Sequence, residues 1–199
     1  MTRSYREKNV YEAAKERLRF AFNEFGNIYH SVSGGKDSSV MIQLATEIAE
    51  EKDAEFSVLF VDLEAQYQAT IDQMEALTEN SRHVLDDIYW VCLPLSLRNA
   101  VSQIQPKWTC WSREKQEKWV RDLPHHDYVI DEDNHEFDFF EHGMEFEEFI
   151  DLFAQWFSKE KGGRHRNQKG ACGPSSSLPS SISPRGWPNE GDIPPPPWP

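Results

Sequence analysis

The chain has no apolar stretch near the roughly 20 residues that cross a bilayer, so no membrane-spanning helix is expected. Its opening residues, Met1-Thr2-Arg3-Ser4-Tyr5, begin no apolar core of a secretory signal. Cysteine is scarce. Cys92, Cys110 and Cys172 are too scattered for a disulfide framework or a CxxC metal pair, and a cytoplasmic, reducing setting is the expectation. Positive charge is also short: 21 Lys and Arg stand against 34 Asp and Glu, for a net charge of −13. That balance argues against a generic basic nucleic-acid surface, although a local basic pocket remains compatible with it. What the 199 residues do contain, 38% hydrophobic and 13% aromatic, is enough for the core of one domain, or one domain with a tail.

The most informative stretch is Ser33-Gly34-Gly35-Lys36-Asp37-Ser38. It follows the short apolar run Ile28-Tyr29-His30-Ser31-Val32 and precedes a helical pattern through Val40, Met41, Leu44, Ala45, Ile48 and Ala49. A strand that enters a helix through two glycines leaves the first helical N–H groups without partners, at the positive end of the helix dipole. Such a turn is a site for phosphate or pyrophosphate. Glycine lets the anion approach closely and tolerates positive φ. Ser33, Ser38 and Ser39 add hydroxyl donors, Lys36 a mobile cation, and Asp37 a carboxylate for a metal ion or a structural hydrogen bond. A Walker loop is excluded because Lys36 is followed by Asp37, and the dinucleotide pattern GxGxxG is absent.

Around this motif the periodicity predicts an amphipathic helix over 10–25, with Val10, Ala14, Leu18, Phe22 and Phe25 on one face. It predicts buried strands at 56–61 and 88–93, joined by a helix near 65–82 that buries Tyr67, Ile71, Met74 and Leu77. Alternating strands and helices of these lengths mean an α/β fold with a doubly wound parallel sheet, whose ligands bind at the carboxyl ends of the strands. Asp62 and Glu64 close the second strand on that rim; Asp62 is either a nucleotide contact, a cap of the next helix, or a solvated carboxylate. Residues 96–101 read as a short helix. In the segment that follows, Trp108, Trp111 and Trp119 accompany Lys107, Arg113, Lys115, Lys118 and Arg121. This aromatic and basic segment suits either a base, nucleotide or single strand, or the core of a subdomain. Residues 144–159 read as an amphipathic helix with an acidic outer face. His125, His126, His135 and His142 match no metal module and are taken as surface residues. Beyond Gly162 the periodicity stops, and a Ser/Pro-rich stretch ends in Pro194-Pro195-Pro196-Pro197. That tail, 164–199, is expected to be disordered or polyproline-like, a form that an SH3-type partner can read.

The six-residue turn resembles the PP-loop, Ser-Gly-Gly-x-Asp-Ser, of the adenine-nucleotide α-hydrolase-like superfamily. With Val61-Asp62, the block Leu93-Pro94-Leu95-Ser96-Leu97-Arg98-Asn99-Ala100-Val101 and the tryptophan segment, residues 1–163 resemble the phosphoadenosine phosphosulfate (PAPS) reductase family. More narrowly, they are similar to its bacterial and prophage-borne branch of immunoglobulin-binding regulators and prophage co-activators. The resemblance implies a PP-loop nucleotide-binding domain over 1–163, with ATP or PAPS held at Ser33, Gly34, Gly35, Lys36, Asp37, Ser38 and Ser39, and the adenosine bordered by Asp62. Mg²⁺ is a possible companion ion. Relatives continue past 163 into a strand with a Gly-Ile-Arg-x-x-Glu-Ser motif. Nothing in 164–199 matches it, and the expectation is a frameshifted or aberrant end on an incomplete domain.

The resemblance implies nucleotidyl or sulfonucleotide chemistry. Reductases of the family attack sulfur with the cysteine of a Glu-Cys-Gly-Leu-His segment, which this sequence lacks. Cys92, inside an apolar strand, is expected to be inert, whereas Cys110 among tryptophans and Arg113 has the more reactive setting. The alternative is a non-catalytic regulator that works through a protein partner or as a homo-oligomer.

Overall fold

A computed structural model describes residues 8–98 and 107–162. Helix α1 (Val10–Glu24) begins where the Asn9 side chain accepts the Glu12 N–H at 2.9 Å, a standard N-cap. Strand β1 (Tyr29–Val32) runs through the glycine turn into α2 (Lys36–Lys52). Then come β2 (Phe56–Val61), buried throughout, α3 (Gln68–Ser81) and β3 (Leu85–Val91). A hairpin of β4 (Ser96–Arg98) and β5 (Lys107–Thr109) precedes β6 (Val129–Ile130) and the long α4 (Phe146–Gly162).

The main sheet is parallel, in the order β1-β2-β3-β6. Right-handed crossovers place α2 and α3 on one face. There the two helices meet through Thr46 Oγ1 donating to Ser81 Oγ at 2.9 Å, and α1 leans on α2 through Lys15 and Arg19 paired with Glu51. The other face presents Tyr29 and Tyr89 to α4, whose Phe153 and Phe157 meet them edge-on at 4.8–6.1 Å. At the far end of α4, the Asn27 side chain donates to the Lys161 carbonyl, which ties the helix to the entry of β1. Helices on both faces of a parallel sheet are the Rossmann-like α/β arrangement expected from the alternation of elements. Among the described residues β1 is an edge strand.

Four local expectations are corrected. Residues 96–98 form a strand, not a helix, because β5 pairs with them antiparallel and the Ser96 N–H donates to the Met144 carbonyl. Residues 99–101 lie outside the described set. Tyr67 is the N-cap of α3 instead of a buried helical residue, and its ring is 86% exposed; Ile71, Met74 and Leu77 are buried as the periodicity requires. The third strand starts at Leu85, pulled into register by pairing with Phe56 despite Asp86 and Asp87. Val10 sits on the exposed side of α1, and Leu18 carries the helix's burial.

Candidate functional site

The turn between β1 and α2 lies on the carboxyl rim of the sheet. Gly34 adopts φ +72°, and a Cβ built there would fall 2.6 Å from Thr70 Cγ2 and 3.2 Å from the Thr70 carbonyl. Both the backbone angle and the neighbouring first turn of α3 therefore demand glycine. Gly35 differs. It is the N-cap of α2 at φ −78°, with only Ser33 Oγ near a built Cβ, at 3.5 Å. No side chain caps α2, and its first backbone acceptor bond is Ser39 N–H to the Gly35 carbonyl at 2.9 Å. The N–H groups of Lys36, Asp37 and Ser38 precede that bond and open outward from the helix end. Ser38 and Ser39 hydroxyls both donate to the Gly35 carbonyl at 2.9 Å, and Ser38 Oγ lies 3.3 Å from Ser33 Oγ. The serines thus brace the turn from inside. Lys36 and Asp37 are 88% and 89% exposed and pair with each other above it.

Asp62 occupies the same rim but is wholly buried. Its Oδ2 accepts the Trp90 indole N–H at 2.9 Å; its Oδ1 accepts the Glu64 N–H at 3.0 Å and the Arg121 guanidinium. Burial removes the solvated reading. The helix-cap reading also falls, since Tyr67 is the cap of α3. Glu64 is buried as well, and accepts the Trp111 N–H at 2.8 Å and the Val120 N–H at 3.0 Å. Arg121 Nε donates to the Glu64 carbonyl at 3.0 Å while its guanidinium lies 4.9 Å from the Trp111 ring centre. The Trp111 indole in turn donates to the Asp62 carbonyl at 2.7 Å. The end of β2 is therefore the anchor of the segment 107–121. Spacing alone gave no sign of it, although a carboxylate at the end of a buried strand must find donors, and Trp and Arg are the side chains that supply them.

Comparison with known proteins fits this geometry. Residues 27–121 match the phosphoadenosine phosphosulfate reductase domain, a span that runs from the approach to β1 through the anchoring arginine. Over that span the chain is similar to the PAPS reductase domain family. It is also 42% identical over 153 residues to the uncharacterized protein YbdN of Escherichia coli strain K12, which is 77% of this chain and 36% of that protein. The chain thus spans little more than a third of that relative's length. No solved structure gives a significant match.

Against that family background, the tryptophan segment is largely core. Trp111 is buried and meets Trp119 edge-on at 5.1 Å, while Trp108 and Trp119 pack partly against the core. Its cations are mostly paired: Lys107 with Glu145, Arg113 with Asp131 and Asp133, and Arg121 with Asp62; Lys115 and Lys118 are exposed. The expectation for Cys110 is overturned. Its thiol is buried, donates toward the Leu93 and Leu95 carbonyls at 3.4 Å, and is pushed up to about 12 by burial. Burial also raises Cys92. Cys172 lies outside the described residues. His126 and His135 are half-buried, contrary to expectation; His126 stacks on Tyr128 at 4.9 Å and meets Glu75 at 3.2 Å. Among the described residues no cluster of metal-ligating side chains occurs, and no helix is long and apolar enough to cross a membrane. A shallow cleft of about 440 Å³, lined by Arg82, Asp86, Asp87, Tyr128 and Asn134, opens near the start of β3, away from the glycine turn.

Proposed function

We propose that the domain binds the phosphate or sulfate end of an adenine nucleotide, ATP or PAPS, at the glycine turn. The observation that carries this reading is the uncapped N-terminus of α2, presented by a left-handed Gly34 that packs on Thr70. The amides of Gly35 to Ser38 hold the anion, Lys36 neutralises charge, and Ser33, Ser38 and Ser39 keep the turn in shape. Asp62 acts from beneath, by fixing the rim on which the nucleoside lies, instead of touching it. Asp37 suits Mg²⁺, which is held by one or two carboxylates together with substrate phosphates and supplies charge neutralisation there. With ATP, attack at the α-phosphorus transfers the adenylyl group to an acceptor and releases pyrophosphate. With PAPS, an external thiol takes the sulfonyl group and adenosine bisphosphate leaves, a step that belongs to sulfur metabolism.

A second reading is favoured by one observation: Cys92 and Cys110 are both buried, so neither is a nucleophile for sulfur. The domain then retains nucleotide binding and works in the cytoplasm as a regulator through a protein partner, as in the prophage-borne branch. Thermal shifts with ATP, PAPS and adenosine phosphosulfate, with and without Mg²⁺, test the common ground. A ligand at 100 times its Kd stabilises by about 2.7 kcal/mol. No shift with any of them overturns nucleotide binding. Pyrophosphate release, sulfite release or neither then separates the three outcomes.

A further inference from the structure

We propose that residues 164–169, which follow α4, dock in the cleft beside the start of β3 and clasp the carboxyl end of that helix to the sheet. The occupant is a segment of this same chain, selected by its charge and by where α4 delivers it. The inference is independent of the nucleotide reading above.

The cleft exists because the sheet has a step there. Strand β2 pairs with β3 from Leu85 onward, but β6 joins only at Trp90 and Val91. The chain leading into β6 turns away before that point, with the Val129 N–H donating to the His126 carbonyl at 3.2 Å. The space left, about 440 Å³, is walled in part by Ile88 and Tyr128 and carries three carboxylates, Asp86, Asp87 and Asp127, against one guanidinium, Arg82. One cation is already seated on this wall: Lys161, in the last turn of α4, pairs with Asp87 and lies 3.6 Å from Asp86. Asp127 is exposed in the turn and makes no salt bridge among the described residues.

The sequence supplies further cations at the right place. Arg164-His165-Arg166-Asn167-Gln168-Lys169 holds three Lys or Arg residues, and no carboxylate lies between Glu160 and Glu190, in a chain of net charge −13. The exit of α4 is fixed, since the Asn27 side chain donates to the Lys161 carbonyl. Lys161 reaches Asp87 with its own side chain. Arg164, at most about 11 Å further along the chain, therefore starts within range of the cleft, and Lys169, at most about 29 Å along, can cross it. Gly162-Gly163 gives the backbone freedom to reverse direction. In the docked segment the arginine stems lie along Tyr128 and Ile88 while their heads meet the carboxylates, beside the negative end of the α4 dipole.

Carbodiimide treatment of the full chain joins amines to carboxylates in contact, and mapping its products by mass spectrometry tests this. The Lys107–Glu145 pair, 2.8 Å apart, is the internal control. Within the monomer, Lys169 is expected to couple to Asp86, Asp87 or Asp127 about fivefold more than to the exposed Glu147, Glu148 and Glu160 of α4, the preference that one ion pair confers. Arg164→Glu with Arg166→Glu should cut the cleft products by about the same factor and leave the control unchanged. Arg166→Glu combined with Asp127→Lys should create a link between positions 127 and 166 that neither change alone produces. Equal coupling of Lys169 to all these carboxylates, or coupling only between copies in a dimer, overturns the clasp. So does the absence of any Lys169 product when the control link forms.

Discussion

The backbone N–H of Trp111 donates to Glu64 Oε2 at 2.8 Å, and the two residues so joined both hold left-handed backbones, with φ of 47° and 63°. Non-glycine residues in that region cost about 1–2 kcal/mol each, so such angles persist only where surrounding bonds over-determine them. Here they do. The Glu64 carboxylate takes two backbone N–H groups from the segment 107–121, and Arg121 returns to the Glu64 carbonyl. The strained bend at the end of β2 both anchors that segment and sends the chain into α3, whose first turn seats Gly34.

Glu64→Ala is therefore expected to destabilise the domain by about 2–4 kcal/mol, since two buried N–H groups lose a charged acceptor. Glu64→Gly loses the same acceptor but relieves the backbone, and should be about 1 kcal/mol more stable than the alanine variant. Urea unfolding measures both. Equal stabilities would mean that the left-handed backbone carries no cost.

The pair Asp62 and Arg121 supports a second prediction. Removal of one partner from a buried ion pair leaves an uncompensated charge and costs about 3–5 kcal/mol. Arg121→Met should fall in that range. Asp62→Ala should cost at least as much, because the Trp90 indole and the Glu64 N–H lose their acceptor too. The double variant should cost at least 1 kcal/mol less than the sum of the singles. Additive losses in a double-mutant cycle would show that the two side chains act independently.

The glycine turn was readable because all its determinants are local: an apolar run, two glycines and a helical pattern within a few residues. The rim beneath it was not. Arg121 finds Asp62 across 59 residues and Trp111 finds Glu64 across 47, and no periodicity reports such pairings. The same holds for 96–98, where short-range pattern favours a helix and the antiparallel partner at 107–109 makes a strand. Tyr67 fits the apolar stripe of α3 by spacing, yet the helix starts one residue later and leaves the ring outside. Cys110 looked reactive from its sequence neighbours; packing decided otherwise.

Gly34 and Gly35 should behave differently although they are adjacent. Gly34→Ala forces a Cβ against Thr70 at φ +72° and should cost roughly 2 kcal/mol, with loss of nucleotide binding. Gly35→Ala meets no close neighbour and should stay within about 0.5 kcal/mol of the parent in stability. Its Cβ stands at the mouth of the helix end, so a fall in pyrophosphate affinity at unchanged stability would isolate the functional role of that glycine. A Gly35→Ala chain that binds pyrophosphate normally would place the anion elsewhere.

Cys110 predicts an alkaline limit. Its folded-state value is raised from 9.0 to about 12, chiefly by burial. The thiol stays protonated in the folded chain while the unfolded chain begins to ionise near pH 9, so between these values the unfolded state binds fewer protons. Stability is then fully present below about pH 9 and declines as pH rises toward 12, by up to about 1.4 kcal/mol per pH unit for this one group. Other groups titrate in the same range, so the comparison that matters is with Cys110→Ala, in which this part of the slope disappears. In the same experiments a thiol reagent at pH 8 should leave Cys92 and Cys110 unmodified until urea unfolds the domain. Prompt modification of Cys110 in the folded chain would contradict its burial and reopen sulfur chemistry at that position.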